Sequence, residues 1–194
     1  VVLINRRLAN PENDAAVDLV IVDEPGGGEQ AVHHLLSRGH RHIGFLAGPQ
    51  ASFSGRGRLR GYLQAMQAHG LTVNPGWVLP CHPSVEGGQQ AACQLLATHP
   101  ELTALFCYND LVAVGALHAC SLLERRVPED LAVVGYDDIP LAALVTPSLT
   151  TCRSPRFYLG SRAVEVLIQR IHGCPGGCEH QVLPVEMVIR SSAP

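Results

Sequence analysis

Three short apolar runs, each ending on a polar side chain, constrain the fold of this chain more than any other feature. They span 42–49 (HIGFLAGP), 103–110 (TALFCYND) and 131–138 (LAVVGYDD). Runs of this kind, apolar on both faces, are buried in parallel sheets. In an open α/β sheet, ligands bind in the crevice beyond the carboxyl ends of the strands. Arg58, Asn109 and Asp137 are therefore expected to meet in one cleft. No metal motif and no nucleophile motif lies among them, which points to recognition rather than catalysis.

The intervening segments carry the 3.6-residue period of helices. The pattern predicts strands at Val1–Ile4 and Val17–Val22, then a helix over Gly26–Arg38 closed by Gly39. A second helix is expected over Ser54–His69, capped by Ser54, with Leu59, Tyr62, Leu63 and Met66 along one face. A strand at Trp77–Cys81 and helices over Glu86–Thr98 and Asp110–Arg125 follow. A long helix over Pro155–His172 and a closing strand over Val182–Ile189 complete the reading. Strands alternating with helices define a doubly wound α/β protein. The regular alternation runs from Gly26 to Asp138; the opening strands and the late helix look like parts of a second lobe.

Composition narrows the function. The chain has 194 residues, 46% of them apolar, enough for a sizeable core. A net charge of −3 leaves no basic footprint for nucleic acid. No signal peptide, membrane span or lipidation motif is seen, and the first residue is Val, which suggests a fragment or a processed chain. Cys81, Cys93, Cys107, Cys120 and Cys152 are scattered through apolar or helical stretches, as expected of reduced thiols in a cytoplasmic protein. Cys174 and Cys178 flank Pro175-Gly176-Gly177 and read as a surface turn, because no second ligand pair completes a zinc site. No metal and no cofactor is expected.

The candidate residues divide by chemistry. Arg58 sits in the first turn of its helix, where a guanidinium can fork onto vicinal hydroxyls or a carboxylate; the alternative is a solvated arginine beside Arg56 and Arg60. Asp110 is expected to cap its helix, while Asn109, donor and acceptor at once, suits a sugar hydroxyl. Asp137 is placed to accept from two hydroxyls. A receiver domain would need a lysine, and the chain has none. The segment 55–61 (GRGRLRG) misses the dinucleotide spacing, Gly26-Gly27-Gly28 lacks the rest of a phosphate loop, and no nucleophile elbow exists.

Six ordered motifs resemble the ligand-binding core of the LacI/GalR family of transcriptional regulators over nearly the whole chain: 34–43 (HLLSRGHRHI), 46–49 (LAGP), 108–110 (YND), 134–138 (VGYDD), 147–151 (PSLTT) and Leu159-Gly160. The resemblance implies a type I periplasmic-binding-protein-like fold of two subdomains. Here the N-terminal one, at 1–22 and 154–183, is partial; the C-terminal one, at 24–152 and 185–190, is complete. Three crossings near Asp23, Arg153 and Pro184 would join them. The family's effector contacts fall on Asn5, Ser54, Arg58, Asn109 and Asp137, with His82 where an aromatic often stacks. Ser154 stands where the family often has Gln, and Asn5 where Asp is common.

The resemblance implies the effector-sensing core of a repressor, whose partners are a small-molecule effector (a sugar, a nucleoside or a related polyol), a second copy of the chain in a homodimer, and operator DNA reached through a headpiece outside these residues; no membrane is implied. A periplasmic sugar-binding protein of a transporter is the alternative with the same fold, and an enzyme is a distant third. Two further expectations follow from the partial subdomain. Apolar surface should be exposed on Val1–Ile4 and Val17–Val22, driving self-association, and the effector should bind weakly or not at all, since one pocket wall is largely missing.

Overall fold

The structure, a computed structural model, describes residues 1–8, 11–173 and 176–194. It has two sheets. The larger contains β3 (Ile43–Ala47), β4 (Val78–Pro80), β5 (Ala104–Cys107), β6 (Ala132–Asp137), β7 (Thr150–Arg153) and β9 (Glu186–Val188), in the order β4-β3-β5-β6-β7-β9. All neighbours are parallel except β7 and β9. The smaller sheet is parallel throughout, with β2 (Asp18–Val22) between β1 (Val2–Ile4) and β8 (His180–Leu183). The chain thus passes between sheets after β2, after β7 and after β8.

Helix α1 (Glu24–Ser37) packs on α2 (Phe53–Ala68), and α3 (Val85–Thr98) packs on α4 (Asp110–Leu122). Right-handed crossovers put the two pairs on opposite faces of the large sheet. Both faces are then covered, which is why β3 and β5 are buried at every position and carry no alternation. Phe45 stacks on Phe106 and Tyr62 at the centre of this core. The strand order reverses between β3 and β5, so the crevice of an open sheet lies at their carboxyl ends.

The glycines of 55–61 act in packing. A Cβ on Gly61 would stand 2.1 Å from the Pro25 carbonyl oxygen, and one on Gly28 would stand 2.6 Å from that of Arg58. Glycine inside a helix costs about 0.5–1 kcal/mol relative to alanine. Here it lets the α1 and α2 backbones approach closely enough for Glu24 to reach Arg58.

Several local expectations are corrected. Ser52, not Ser54, caps α2, its hydroxyl accepting from Gly55 N, because the helix starts at Phe53. Asn109, not Asp110, caps α4 by accepting from Val112 N. The closing strand is two strands in different sheets, broken between Leu183 and Glu186, where Pro184 has no N–H to extend the ladder. β2 is buried throughout, since β1 and β8 flank it and α5 (Arg156–Ile171) lies across it. The exposed apolar surface falls instead on Val1 and Ile4 at the β1 edge, on Val182, and on the outer face of α5, where Phe157 is 92% and Ile171 71% exposed.

Candidate functional site

A carboxylate that the sequence reading did not single out organises the crevice. Glu24 opens α1 and is 0% exposed. Its Oε1 accepts from Asn5 Nδ2 and from Ser54 Oγ, both at 2.9 Å, and its Oε2 accepts from Arg58 Nε at 2.7 Å. Removing a carboxylate from water is costly unless it is paired and hydrogen-bonded, and this one is both. Burial pushes its pKa up, but the Arg58 charge and the three donors outweigh that and hold it below the ordinary glutamate value.

Arg58 is 3% exposed and its three guanidinium nitrogens are all engaged. Nη1 donates to the Tyr108 carbonyl at the end of β5, and Nη2 reaches Asp137 Oδ1 at 3.3 Å at the end of β6. The guanidinium lies over the Tyr136 ring, 3.6 Å from its centroid, with the Tyr108 ring 4.8 Å away. Burial disfavours the arginine's charge, yet Glu24 and Asp137 raise its pKa above the usual arginine value. Arg58 therefore ties the helix after β3 to the ends of β5 and β6. In this geometry its fork serves the site's own scaffold, with Asp137 as its outward partner.

Asp137 and Asp138 turn to different partners, the first to Arg58 and the second to Arg153 and Arg190. Both have left-handed backbones, φ 105° and 52°, which for non-glycine residues stores strain of the kind that collects at ligand sites. The Asp137 carboxylate is partly open, with 28% of its side chain exposed. Burial raises its pKa, Arg58 opposes this, and the Glu24 charge adds to it. Asp138 accepts from Arg153 Nε and Arg190 Nη2, each at 2.7 Å, anchoring the turn to β7 and the C-terminal segment.

Asp110 fixes the same turn from below. Its Oδ2 accepts from Ile139 N at 2.8 Å and its Oδ1 from Thr151 Oγ1 at 2.6 Å. Burial pushes its pKa up to about 6 against those two hydrogen bonds, and the nearby charges of Asp137 and Asp138 act with burial. Nothing local in the sequence marks Asp110 or Glu24 as buried, since both fit the acidic first turn of an ordinary helix.

The structure thus joins Asn5, Ser54, Arg58 and Asp137 in one hydrogen-bonded network. Asn5 enters it from the small sheet with φ 45°, its Oδ1 accepting from Val22 N at 3.1 Å. Asn109 follows Tyr108 at the same rim; its Oδ1 caps α4, and its Nδ2 is unused by the described residues. His82 lies exposed just after β4, with no hydrogen bond to the network. Among the described residues no cluster of three or more His, Cys, Asp or Glu side chains could hold a metal ion. Cys174, half of the cysteine pair weighed above, lies outside the described residues. Among the described residues no helix is long and apolar enough to cross a membrane.

A mainly parallel sheet with a polar crevice at its switch point, and a second small sheet contributing one side chain to it, defines a ligand-binding protein of the periplasmic-binding type. Residues 32–193 match the periplasmic binding protein-like domain family. The chain is 36% identical over 182 residues to the transcriptional repressor PurR of Haemophilus influenzae (strain PittEE), covering 92% of this chain and 54% of that repressor. Its fold is similar to a CelR–cellobiose complex, with a TM-score of 0.94, 35% identity and coverage of 98% of this chain and 58% of that one. It is also similar to a LacI family regulator of Enterococcus faecalis V583 with bound ribose, with a TM-score of 0.86, 29% identity and coverage of 99% and 67%. The chain belongs to the periplasmic binding protein-like domain family, in its LacI/GalR branch. It spans about half the length of the curated relatives it matches.

Proposed function

We propose that this chain is the sugar- or polyol-sensing core of a LacI-type transcriptional regulator, acting as a repressor. The single observation that carries the reading is the Glu24–Arg58–Asp137 network. It presents a partly open carboxylate at the switch-point crevice, beside the Asn109 amide, and pairs the buried charges of Glu24 and Arg58 behind it. A carboxylate and an amide on a preorganised wall suit vicinal hydroxyls. The solved relatives with bound cellobiose and ribose support a saccharide, and the repressors among the relatives favour a regulator over a periplasmic transport protein.

On this reading Asn5, Ser54, Arg58, Asn109 and Asp137 form or support the effector wall, and His82 adds a ring from the β4 side. The two sheets are cores of two subdomains, 1–22 with 154–183 and 24–152 with 185–190. Effector binding biases their relative position, and a homodimer transmits that bias to a DNA-binding headpiece in the cytoplasm. The site recognises its ligand without turning it over, and needs no metal or cofactor.

The test is a calorimetric and thermal-shift screen of neutral mono- and disaccharides and nucleosides against the full-length protein, followed by its operator binding. One ligand class is expected to raise Tm, in proportion to its occupancy, and to change operator affinity, with both effects lost in Asp137→Ala. A full-length protein to which no polyol binds, or whose operator affinity a bound polyol leaves unchanged, would overturn the reading.

A further inference from the structure

The three arginines of 55–61 point two ways. Arg58 turns inward to the network, whereas Phe53, Arg56, Gly57 and Arg60 share the opposite face of α2 at i, i+3, i+4 and i+7. That face lines a pocket of about 630 Å³, closed on its other side by Val22 and Val182 of the small sheet and by Arg7. The cavity is within the range that takes a small organic ligand.

Its charge is lopsided in a chain that is acidic overall. Three guanidinium groups line it against one carboxylate, Asp23, whose Oδ1 already accepts from Gly26 N. Arg60 has no hydrogen bond or ion pair to the described residues, and Arg56 donates only to the neutral carbonyls of Ala51, at 2.7 Å, and Gln50, at 3.4 Å. Arg7 pairs with Asp14 at 3.0 Å while its Cζ stands 5.8 Å from the centre of the Phe53 ring. Arginines held by neutral groups keep their charge available, and their planar forks match phosphate oxygens. Phe53, Val22 and Val182 offer an apolar surface for the body of the same ligand.

We propose that this pocket is a second ligand site, separate from the crevice, for a small organic phosphate with an apolar or planar body. The phosphate would lie between Arg56 and Arg60, and the body against Phe53 and Val182. Such a ligand would bridge α2 on the large sheet and β8 on the small one. It would sit directly behind Glu24 and Arg58, whose chain neighbours Asp23, Pro25 and Gly57 line the cavity.

Adenosine monophosphate, adenosine and inorganic phosphate, each titrated into the whole chain, test the proposal. The readouts are calorimetry and the arginine Nε–H signals in ¹H–¹⁵N spectra. Expected are shifts at Arg56 and Arg60 with the monophosphate, weaker binding of phosphate alone, and none of adenosine. Arg60→Gln should weaken the monophosphate about tenfold or more, the scale of a lost charge-assisted hydrogen bond, with Tm unchanged. Asp137→Asn, which disables the crevice, should leave it unaffected. The proposal is overturned if the monophosphate fails to bind at millimolar concentration, if adenosine binds equally well, or if Arg60→Gln has no effect. It is equally overturned if Asp137→Asn abolishes binding, since the ligand would then occupy the crevice. Failure of the saccharide screen leaves these outcomes unchanged, because the two sites share no side chain.

Discussion

The two sheets are both largely parallel, yet they solve burial differently. The six-stranded sheet is sandwiched between helix pairs and its central strands are sealed. The three-stranded sheet has α5 against β1 and β2 but leaves Val1, Ile4 and Val182 partly in water, along with α5's own outer residues. Polar ties add to its packing. Arg170 clasps Asp18 with Nε–Oδ2 at 3.0 Å and Nη2–Oδ1 at 2.7 Å, and Arg162 reaches Gln181 and Glu179. In the large unit the main ion pair is buried inside a packed core. In the small unit the corresponding pair joins a helix to a strand beside solvent. Similar chemistry therefore has different weight according to how much low-dielectric material surrounds it.

The sharpest way to break the comparison is Arg58→Met, which leaves Glu24 buried and uncompensated. Urea unfolding should show a loss of about 3–5 kcal/mol. Adding Glu24→Leu to it should restore part of that loss; a single variant no less stable than the parent would show the pair to be dispensable. Next in size is Gly61→Ala, which drives a methyl into the Pro25 carbonyl and should cost about 1–3 kcal/mol by overpacking. Thermal melts of that variant with unchanged Tm would refute the close α1–α2 contact.

The acid limb separates the two units by sign. Asp18 is lowered to about 2, chiefly by its hydrogen bonds from Arg170, so its stabilisation is complete above about pH 4, the unfolded value, and is lost as pH falls toward 2. Asp110 is raised to about 6, so its ionised form opposes folding, and its contribution improves as pH falls from above 6 to about 4. Carboxyl ¹³C titrations should give midpoints near those values, with Asp18 moving up toward 4 in Arg170→Ala. Equal, unshifted midpoints would remove the distinction between the units. Least in size is Phe157→Ser on the exposed face of α5, expected to alter stability by no more than about 0.5 kcal/mol. Sedimentation should nevertheless show less self-association than the parent, and a parent that is strictly monomeric would end that expectation.

Most of the architecture was legible because parallel strands buried on both faces leave unbroken apolar runs, and helices leave a periodic stripe. The misplaced caps at Ser52 and Asn109 differ from expectation by one or two residues, where neighbouring polar side chains compete for the same amides. The division of Val182–Ile189 between two sheets does not show in the hydrophobic pattern, because each half is too short to reveal which layer it joins; only the family resemblance implied a crossing near Pro184. Of the crevice, the polar strand ends were legible and the scaffold behind them was not. Glu24 looks like any acidic residue in a first turn until Gly28 and Gly61 bring α2 against it.

Local sequence, through hydrophobic period and strand-end chemistry, determined that this chain is a doubly wound α/β protein with a polar crevice, and ordered motifs marked its family. Only the tertiary structure decided what each arginine of 55–61 does. One helix face is buried against α1 and carries Arg58 to Glu24; the other faces a cavity with Arg56 and Arg60. Residues two apart on a helix point in different directions, and which direction is interior depends on a neighbour brought in from elsewhere in the chain.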